Sequence, residues 1–464
     1  MNLILDTDSY KTSHFLQYPP GTEHVTSYIE PRKVAKGFEL TDGVVNFGLQ
    51  MYLNKLKNNP VTMDHIREAE GIIVPHGLPF NRAGWELIVN KYGGFLPLTI
   101  ESLPEGIVMP VGTCQVQVRN TDPELFWLTS YVETSLLRAI WYPSTVATLS
   151  REIKILIKSY MEKTCDNLEK LPFMLHDFGS RGVSSQESAG IGGLAHLVNF
   201  MGTDTLESLT YARDHYNCED MPAFSVPAAE HSTITSWGEE NEDQAFSNMV
   251  DKFANPGAIV SVVSDSYSII NACQHIWGET LRNKVKESGA TIVVRPDSGD
   301  PATVVLSCLN ILGDKFGHTL NTKGYKVLHP SIRVIQGDGI NYYSIRDICD
   351  VITEAGWAMD NLVFGMGGAL LQQVNRDTLS YAMKANSITI NGKTRPVFKK
   401  PLTDTSKSSK MGRQMVVERN GRLITIPHDS AEDNMLSTTW SVVEGHKYHS
   451  SNLFSTVRSR AEVK

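Results

Sequence analysis

The chain has 464 residues, of which 41% are hydrophobic and 20% charged, and a formal net charge of −8. The composition is that of a globular protein. The negative balance excludes a nucleic-acid coat and a protein drawn to anionic membranes, while local basic clusters on an acidic body remain compatible with phosphorylated substrates. The length exceeds one ordinary core, so two domains are expected.

The chain opens with MNLILDTDSYK, which has no basic region and too short an apolar stretch for a secretory signal. No apolar run approaches the roughly 18 residues of a membrane span. A cytoplasmic protein with no nucleic-acid and no membrane partner is the expectation. The six cysteines, Cys114, Cys165, Cys218, Cys273, Cys308 and Cys349, show no CxxC spacing and read as free thiols in a reducing compartment.

Residues 35–130 contain many short segments with Pro and Gly, and FLPLTIESLPEGIVMPVGTCQVQV (95–118) alternates like antiparallel strands. The centre has a different rhythm. Apolar runs end in polar or glycine clusters in FMLHDFGSRG (173–182), PAFSVPAAEHST (222–233), AIVSVVSDSY (258–267), TIVVRPDSGD (291–300), IRVIQGDG (332–339) and NLVFGMGG (361–368). Helical spacing fills 268–288, 301–313 and 343–355. Continuous rather than alternating apolar runs belong to strands buried on both faces, as in a parallel sheet. At least six such βα units favour a (β/α) barrel, in which chemistry gathers at the C-terminal ends of strands. Residues 386–427 return to short strands, with an Asn-Gly hairpin signal in RNGRLITI. The expected fold is therefore α/β: an irregular (β/α) barrel over 146–384 and a second, mostly β, α+β domain built from both chain ends, 1–145 and 385–464.

Two short motifs mislead. Asp177-Phe178-Gly179 spells a kinase signature, but no HRD loop or Gly-rich loop accompanies it. Gly365-Met366-Gly367-Gly368 follows a late strand and lacks the acid of a dinucleotide fingerprint. In a barrel, that loop either offers backbone N–H groups to phosphate or serves tight packing. Arg295 and Asp297 lie at i, i+2 around Pro296, which takes the segment out of the sheet. They read either as a strand-end salt bridge or as a grip on a sugar phosphate, Arg for phosphate and Asp for hydroxyls or a metal. His231 is either a helix-start residue, with Ser232 or Thr233 as the N-cap, or a reactive imidazole. Arg181 and Asp204 are equally open in isolation.

Together these segments resemble the nicotinamide phosphoribosyltransferase family over nearly the whole chain. The resemblance runs through DTDSYKTSH and QYPPGTEHVTSY (6–28), WYPSTVAT (141–148), HDFGSRGVSSQESAGIGGLAHLVNFMGTDT (176–205), SVPAAEHSTIT (225–235), VSVVSDSY (260–267), RPDSGDP (295–301), RVIQGDG (333–339), GMGGALLQ (365–372) and SKMGR (409–413). It implies transfer of phosphoribose from 5-phosphoribosyl 1-pyrophosphate to nicotinamide, giving nicotinamide mononucleotide and pyrophosphate. It also implies a homodimer with shared active sites, Mg²⁺ carried on the pyrophosphate, and ATP as an activating co-substrate.

The resemblance assigns roles residue by residue. Phe178 and Tyr10, the latter from the second subunit, sandwich the pyridine ring. Asp204 accepts the carboxamide N–H, and Arg295 shares that site. Arg181, Arg295, Arg32, Arg376, Lys384 and Lys407 hold phosphates, the last four across the dimer. Asp297 and Asp338 take ribose hydroxyls or the metal–pyrophosphate side, while Gly337, Gly367 and Gly368 admit the 5′-phosphate. His231 accepts a phosphoryl group from ATP, with Glu230 a candidate for orienting it; Asp8, Ser225, Ser261 and Asp265 support the site. His231, Asp297, Arg295 and Asp204 are the expected catalytic set. The sequence departs from the family pattern at Ser180, Met366, Ala382 and Met411. Two other readings compete: transfer to nicotinate, and a non-catalytic barrel that only binds.

Overall fold

The computed structural model describes residues 1–401 and 408–463. The chain divides into two compact units. The first comprises Met1–Thr148, Ala212–Cys218 and Val374–Glu462; the second comprises Leu149–Tyr211, Glu219–Gln373 and the last residues.

The partition differs from the expected one in several places. Residues 146–148 fall in the first unit. Residues 374–384 also belong to the first unit, because the strand Ala382–Ile390 pairs with Thr22–Glu30 from Ile390 opposite Thr22 to Ala382 opposite Glu30. Such a ladder does not split between domains. Residues 212–218 join it too: the amide groups of Gln50 and Asn54 donate to the His215 carbonyl at 2.7 and 3.2 Å.

The second unit carries a curled sheet of six parallel strands in the order Gly202–Thr203, Leu175–Asp177, Leu362–Met366, Ile332–Gln336, Thr291–Arg295, Ile259–Val263. Val260, Val262, Ile292, Val294, Ile332, Val334, Leu362 and Phe364 are fully buried, as the continuous apolar runs require. Each buried aliphatic side chain of this kind contributes about 1.5–3 kcal/mol. The segment 222–229 was expected as a full strand. It is instead an extended stretch that touches both edges: Thr203 N donates to the Phe224 carbonyl at 3.1 Å, and Ala229 N to the Ser261 carbonyl at 2.9 Å.

Helices return the chain between strands. Asp300 caps Pro301–Phe316 by accepting from Thr303 N, with Pro301 in the first turn, where a missing N–H costs nothing. Asn341 caps Tyr342–Glu354 through a reciprocal bond with Ser344. The stretch 268–288 is helical, but Ala272–Thr280 is wound as a π-helix, a rare form that often marks functional sites. There Trp277 stacks on Phe246 at 4.7 Å and donates its indole N–H to Ser264 Oγ at 3.0 Å. The end of the Ile259–Val263 strand is thereby anchored.

The first unit is built on a seven-stranded sheet that draws on both chain ends, in the order Lys393–Pro396, Ala382–Ile390, Thr22–Glu30, Val116–Asn120, Leu98–Ser102, Ser437–Val443, His446–His449. Every pairing in it is antiparallel. The hairpin expected from RNGRLITI joins Gln414–Arg419 to Arg422–Pro427, with Asn420 and Gly421 at φ 53° and 72°. Paired positive φ values match the right-handed twist of the flanking strands. The N-terminal flank holds more helix than its alternation indicates: Leu49–Asn58, Met63–Ile73 and Arg82–Tyr92. Trp85 of the last packs edge-on against Trp127 and Tyr131 at 5.0 Å. No helix among the described residues is long and apolar enough to cross a membrane. All six cysteines are free, five of them buried.

Candidate active site

At the C-terminal ends of the second unit's strands lies a cleft of about 400 Å³, lined by Phe178, Ser180, Arg181, Asp204, Thr205 and Arg295. Phe178 leaves the strand Leu175–Asp177 with its N–H donating to the Met366 carbonyl at 2.9 Å. Its ring lies on glycine backbone. A Cβ on Gly365 would fall 2.0 Å from the ring, and one on Gly337 3.1 Å from it. Gly337, expected to admit a phosphate, also carries the Phe178 ring on its backbone. Close backbone approach occurs as well at Gly182 and Gly368, where a Cβ on Gly182 would stand 3.0 Å from Gly368 N. At the departure Met366, the backbone carbonyl meets Phe178 N and the side chain is buried.

Asp204 follows the short strand Gly202–Thr203. One of its carboxylate oxygens, Oδ1, accepts from both His176 Nε2, at 2.9 Å, and the Ser225 hydroxyl. Burial alone would raise its pKa, but His176, then Ser225 and Arg295, hold it below the usual carboxylate value. His176 carried no role in the sequence reading. Its signal was there: His176 and Phe178 stand at i, i+2 on one strand and so share a face, and their rings are 5.2 Å apart. Arg295 ends the Thr291–Arg295 strand, and its Nε is buried with no hydrogen-bond partner among the described residues. Arg181 is exposed beside it along the cleft wall. These two cations are the local positive charge on an acidic chain.

A second cluster adjoins Arg295. His231 opens the helix His231–Thr235, and the N-cap is Glu230 rather than Ser232 or Thr233. The Thr233 hydroxyl accepts from Glu230 N at 3.3 Å, and the Glu230 carboxylate takes the Ser232 hydroxyl. Glu230 therefore serves the helix start, and the group that orients His231 is Asp265. Its Oδ1 lies 3.2 Å from His231 Nε2, while its Oδ2 accepts from Asp297 N at 3.0 Å and Ser298 Oγ at 2.6 Å. His231 Nδ1 is 3.8 Å from Asp297 Oδ2. Burial pushes Asp297 upward; Asp265 and Asp338 add to this, and Arg295 and His231 oppose it. Asp338 also accepts Gln336 Nε2 on its backbone carbonyl at 2.9 Å. Ser261 is buried in its strand and bonds through its backbone to the 222–229 segment. Behind Asp265 stands Glu242, buried, with Oε1 lacking a hydrogen-bond partner among the described residues and its pKa pushed up to about 7 by burial and then by Glu239 and Asp265. No sequence signal marked it.

Five of the expected residues, Asp8, Tyr10, Arg32, Arg376 and Lys384, lie in the first unit; Lys407 falls outside the described residues. The Asp8 carboxylate accepts the Thr134 hydroxyl at 2.6 Å, and Tyr10 is exposed. Lys11 is buried against Glu133 at 2.7 Å. Arg32 Nε donates to the Ser380 carbonyl at 3.1 Å, and Arg376 pairs with Asp377 at 3.0 Å. Lys384 is pushed below the usual lysine value by burial, against the pull of Glu133, and further by Arg32, Lys399 and Arg376. These cations crowd one another, as a patch awaiting an anion does.

The cleft thus brings an aromatic ring, a pinned carboxylate and two guanidinium groups to the ends of a parallel sheet, groups suited to a flat ring and to phosphate. The chain belongs to the nicotinate phosphoribosyltransferase family, whose model matches residues 173–442. The model of the N-terminal domain of nicotinamide phosphoribosyltransferase matches residues 2–100. The chain is 50% identical to the nicotinamide phosphoribosyltransferase of Xanthomonas campestris pv. campestris, over 95% of this chain and 94% of that one. It is 33% identical to the protein of the same name from Acinetobacter baylyi, over 90% and 89%. Its fold is like that of a nicotinate-nucleotide pyrophosphorylase from Pyrococcus furiosus, with a TM-score of 0.62 at 15% identity over 99% of this chain and 95% of that one. It is also like that of human nicotinic acid phosphoribosyltransferase, with a TM-score of 0.58 at 16% identity over 98% and 92%.

Proposed function

We infer that this chain joins nicotinamide to 5-phosphoribosyl 1-pyrophosphate, forming nicotinamide mononucleotide and releasing pyrophosphate. One observation carries the choice of pyridine. Asp204 is held ionised beside Phe178, and its Oδ2 has no protein partner among the described residues. A carboxylate oxygen is acceptor-only, so it suits the N–H of an amide and repels the carboxylate of nicotinate.

The rest of the site follows the same chemistry. Phe178 supplies one stacking face. Arg181 and Arg295 take phosphate oxygens, and their charge opposes what builds on the departing pyrophosphate. Asp297 and Asp338 hold ribose hydroxyls. The pyridine nitrogen is itself a nucleophile, so no general base is needed. Mg²⁺ is proposed to arrive on the pyrophosphate. When bound, Mg²⁺ neutralises leaving-group charge.

His231 is the proposed phosphoryl acceptor from ATP. With Asp265 beside Nε2, the other ring nitrogen forms the N–P bond as ADP leaves. The 222–229 segment, bonded to both sheet edges, supports reading the second unit as an irregular (β/α) barrel closed at that point. Tyr10, Arg32, Arg376, Lys384 and Lys407 are proposed to complete the site of a second copy in a homodimer. Six free cysteines fit a reducing cytoplasm.

Incubation with nicotinamide, phosphoribosyl pyrophosphate and Mg²⁺, with mass detection of the mononucleotide, tests the reading. Formation of product is expected, and none would overturn it. Added ATP should raise the rate in the wild type but not in His231→Ala; equal stimulation in both would refute the phosphohistidine.

A further inference from the structure

His176 donates to the one carboxylate that the site uses to read the pyridine substituent. We propose that His176 is a positioning residue that sets the preference for amide over acid by pinning Asp204. The inference rests on the functional reading above and extends it to a group with no role in that reading.

The geometry is specific. His176 Nε2 and the Ser225 hydroxyl both bond to Oδ1 of Asp204, and Oδ2 has no hydrogen bond within the described protein. Two donors on one oxygen fix the plane of the carboxylate and leave the other oxygen as a bare acceptor. Asp204 lines the cleft with Phe178, so a ring lying on Phe178 brings its substituent toward that acceptor. His176 is itself well placed. It sits mid-strand in Leu175–Asp177, only 15% of its side chain is exposed, and a Cβ on Gly202 of the neighbouring strand would lie 2.7 Å from His176 Nδ1. The absence of a side chain at Gly202 thus gives the imidazole its place.

Without the imidazole, Asp204 keeps only the exposed Ser225 as a donor and is free to turn. Its charge is then shared between two rotating oxygens, and discrimination weakens. The charged groups that act on this pair are Asp177, flanking His176 in sequence, and Arg295 of the same cleft. Asp177 is buried on hydrogen bonds from Gly179 N and the Thr203 hydroxyl.

The experiment is the ratio of kcat/KM for nicotinamide to that for nicotinate, measured at pH 8 in the wild type, His176→Ala and His176→Gln. In His176→Ala the ratio is expected to fall about ten-fold, the worth of one charge-assisted hydrogen bond, with KM for phosphoribosyl pyrophosphate unchanged. His176→Gln, whose Nε2 is also a donor, should restore most of the ratio. A ratio within two-fold of wild type in His176→Ala, or no recovery of the ratio in His176→Gln, would overturn the proposal. Should His176→Ala fail to fold, His176→Leu, which fills the space without a donor, takes its place against His176→Gln. Absence of mononucleotide from the wild type would sink the functional reading itself, which separates the two failures.

Discussion

The strand-end cleft of the second unit and the cationic patch of the first are both expected to meet the same substrates, yet they are built in opposite ways. In the cleft, polar groups are fixed by other polar groups. His176 and Ser225 hold Asp204, and Asp265 holds His231 and the Asp297 loop. In the patch, Lys384 is pushed down first by burial and then by Arg32, Lys399 and Arg376, while Glu133 is already committed to Lys11. A pre-organised site aims its groups before the substrate arrives, and such groups act on charge that develops in the reaction. A crowd of like charges carries no such aim; it lowers the energy of any anion that comes near.

Substitutions on the two sides should therefore separate. The largest effect is expected for Arg295→Ala, which removes the half-buried guanidinium from the cleft. Its kcat/KM should fall about 10²–10³-fold for both substrates, measured by steady-state kinetics; a change confined to KM for phosphoribosyl pyrophosphate would place Arg295 with the patch instead. Next comes Gly365→Ala. The added methyl would stand 2.0 Å from the Phe178 ring, so it should cost about 1–3 kcal/mol of stability in denaturant unfolding and raise KM for nicotinamide. Unchanged stability and KM would show that the ring does not depend on that glycine.

Glu242 behind Asp265 tests the cost of the organised side. Its pKa stands above the ordinary carboxylate value, at about 7, so the folded chain holds a proton that the unfolded chain gives up earlier. Stability is therefore lost as the pH rises from the ordinary value to about 7, and the loss is complete above that. Glu242→Gln should raise Tm by about 1–3 °C at pH 8, with the gain disappearing toward pH 4.5. A gain that did not vary with pH would refute the assignment. The smallest effect belongs to the patch. Lys384→Met relieves repulsion and should stabilise the free protein by up to about 0.5 kcal/mol near neutral pH, while raising KM for phosphoribosyl pyrophosphate and weakening its dependence on salt. Destabilisation with unchanged KM would make Lys384 structural.

Much of the cleft was legible because its parts are local in sequence. Each apolar run ends in its own polar cluster, and the clusters around Phe178, His231, Asp265, Arg295, Asp338 and Gly367 all stand at or just beyond strand ends or at the bridging segment. What escaped depends on pairing between distant residues. The edge strand Gly202–Thr203 is two residues long, too short to show a period. The 222–229 segment is held only by bonds to two separate strands. Sequence cannot reveal that the Phe178 ring lies on Gly337 and Gly365. Glu230 stood next to His231 and drew attention, whereas the group that meets the imidazole, Asp265, is 34 residues away. The boundary at 373 was hidden because the strand Ala382–Ile390 finds its partner at the other end of the chain.

If a pinned, ionised Asp204 chooses the amide, a competition shows it: nicotinamide and nicotinate at equal concentration, limiting phosphoribosyl pyrophosphate, Mg²⁺ and the full chain, with both mononucleotides resolved by mass. The amide product should dominate at pH 8, and its excess should collapse in Asp204→Ala. A wild-type mixture in which the acid product equals or exceeds the amide product would rule out selection by Asp204.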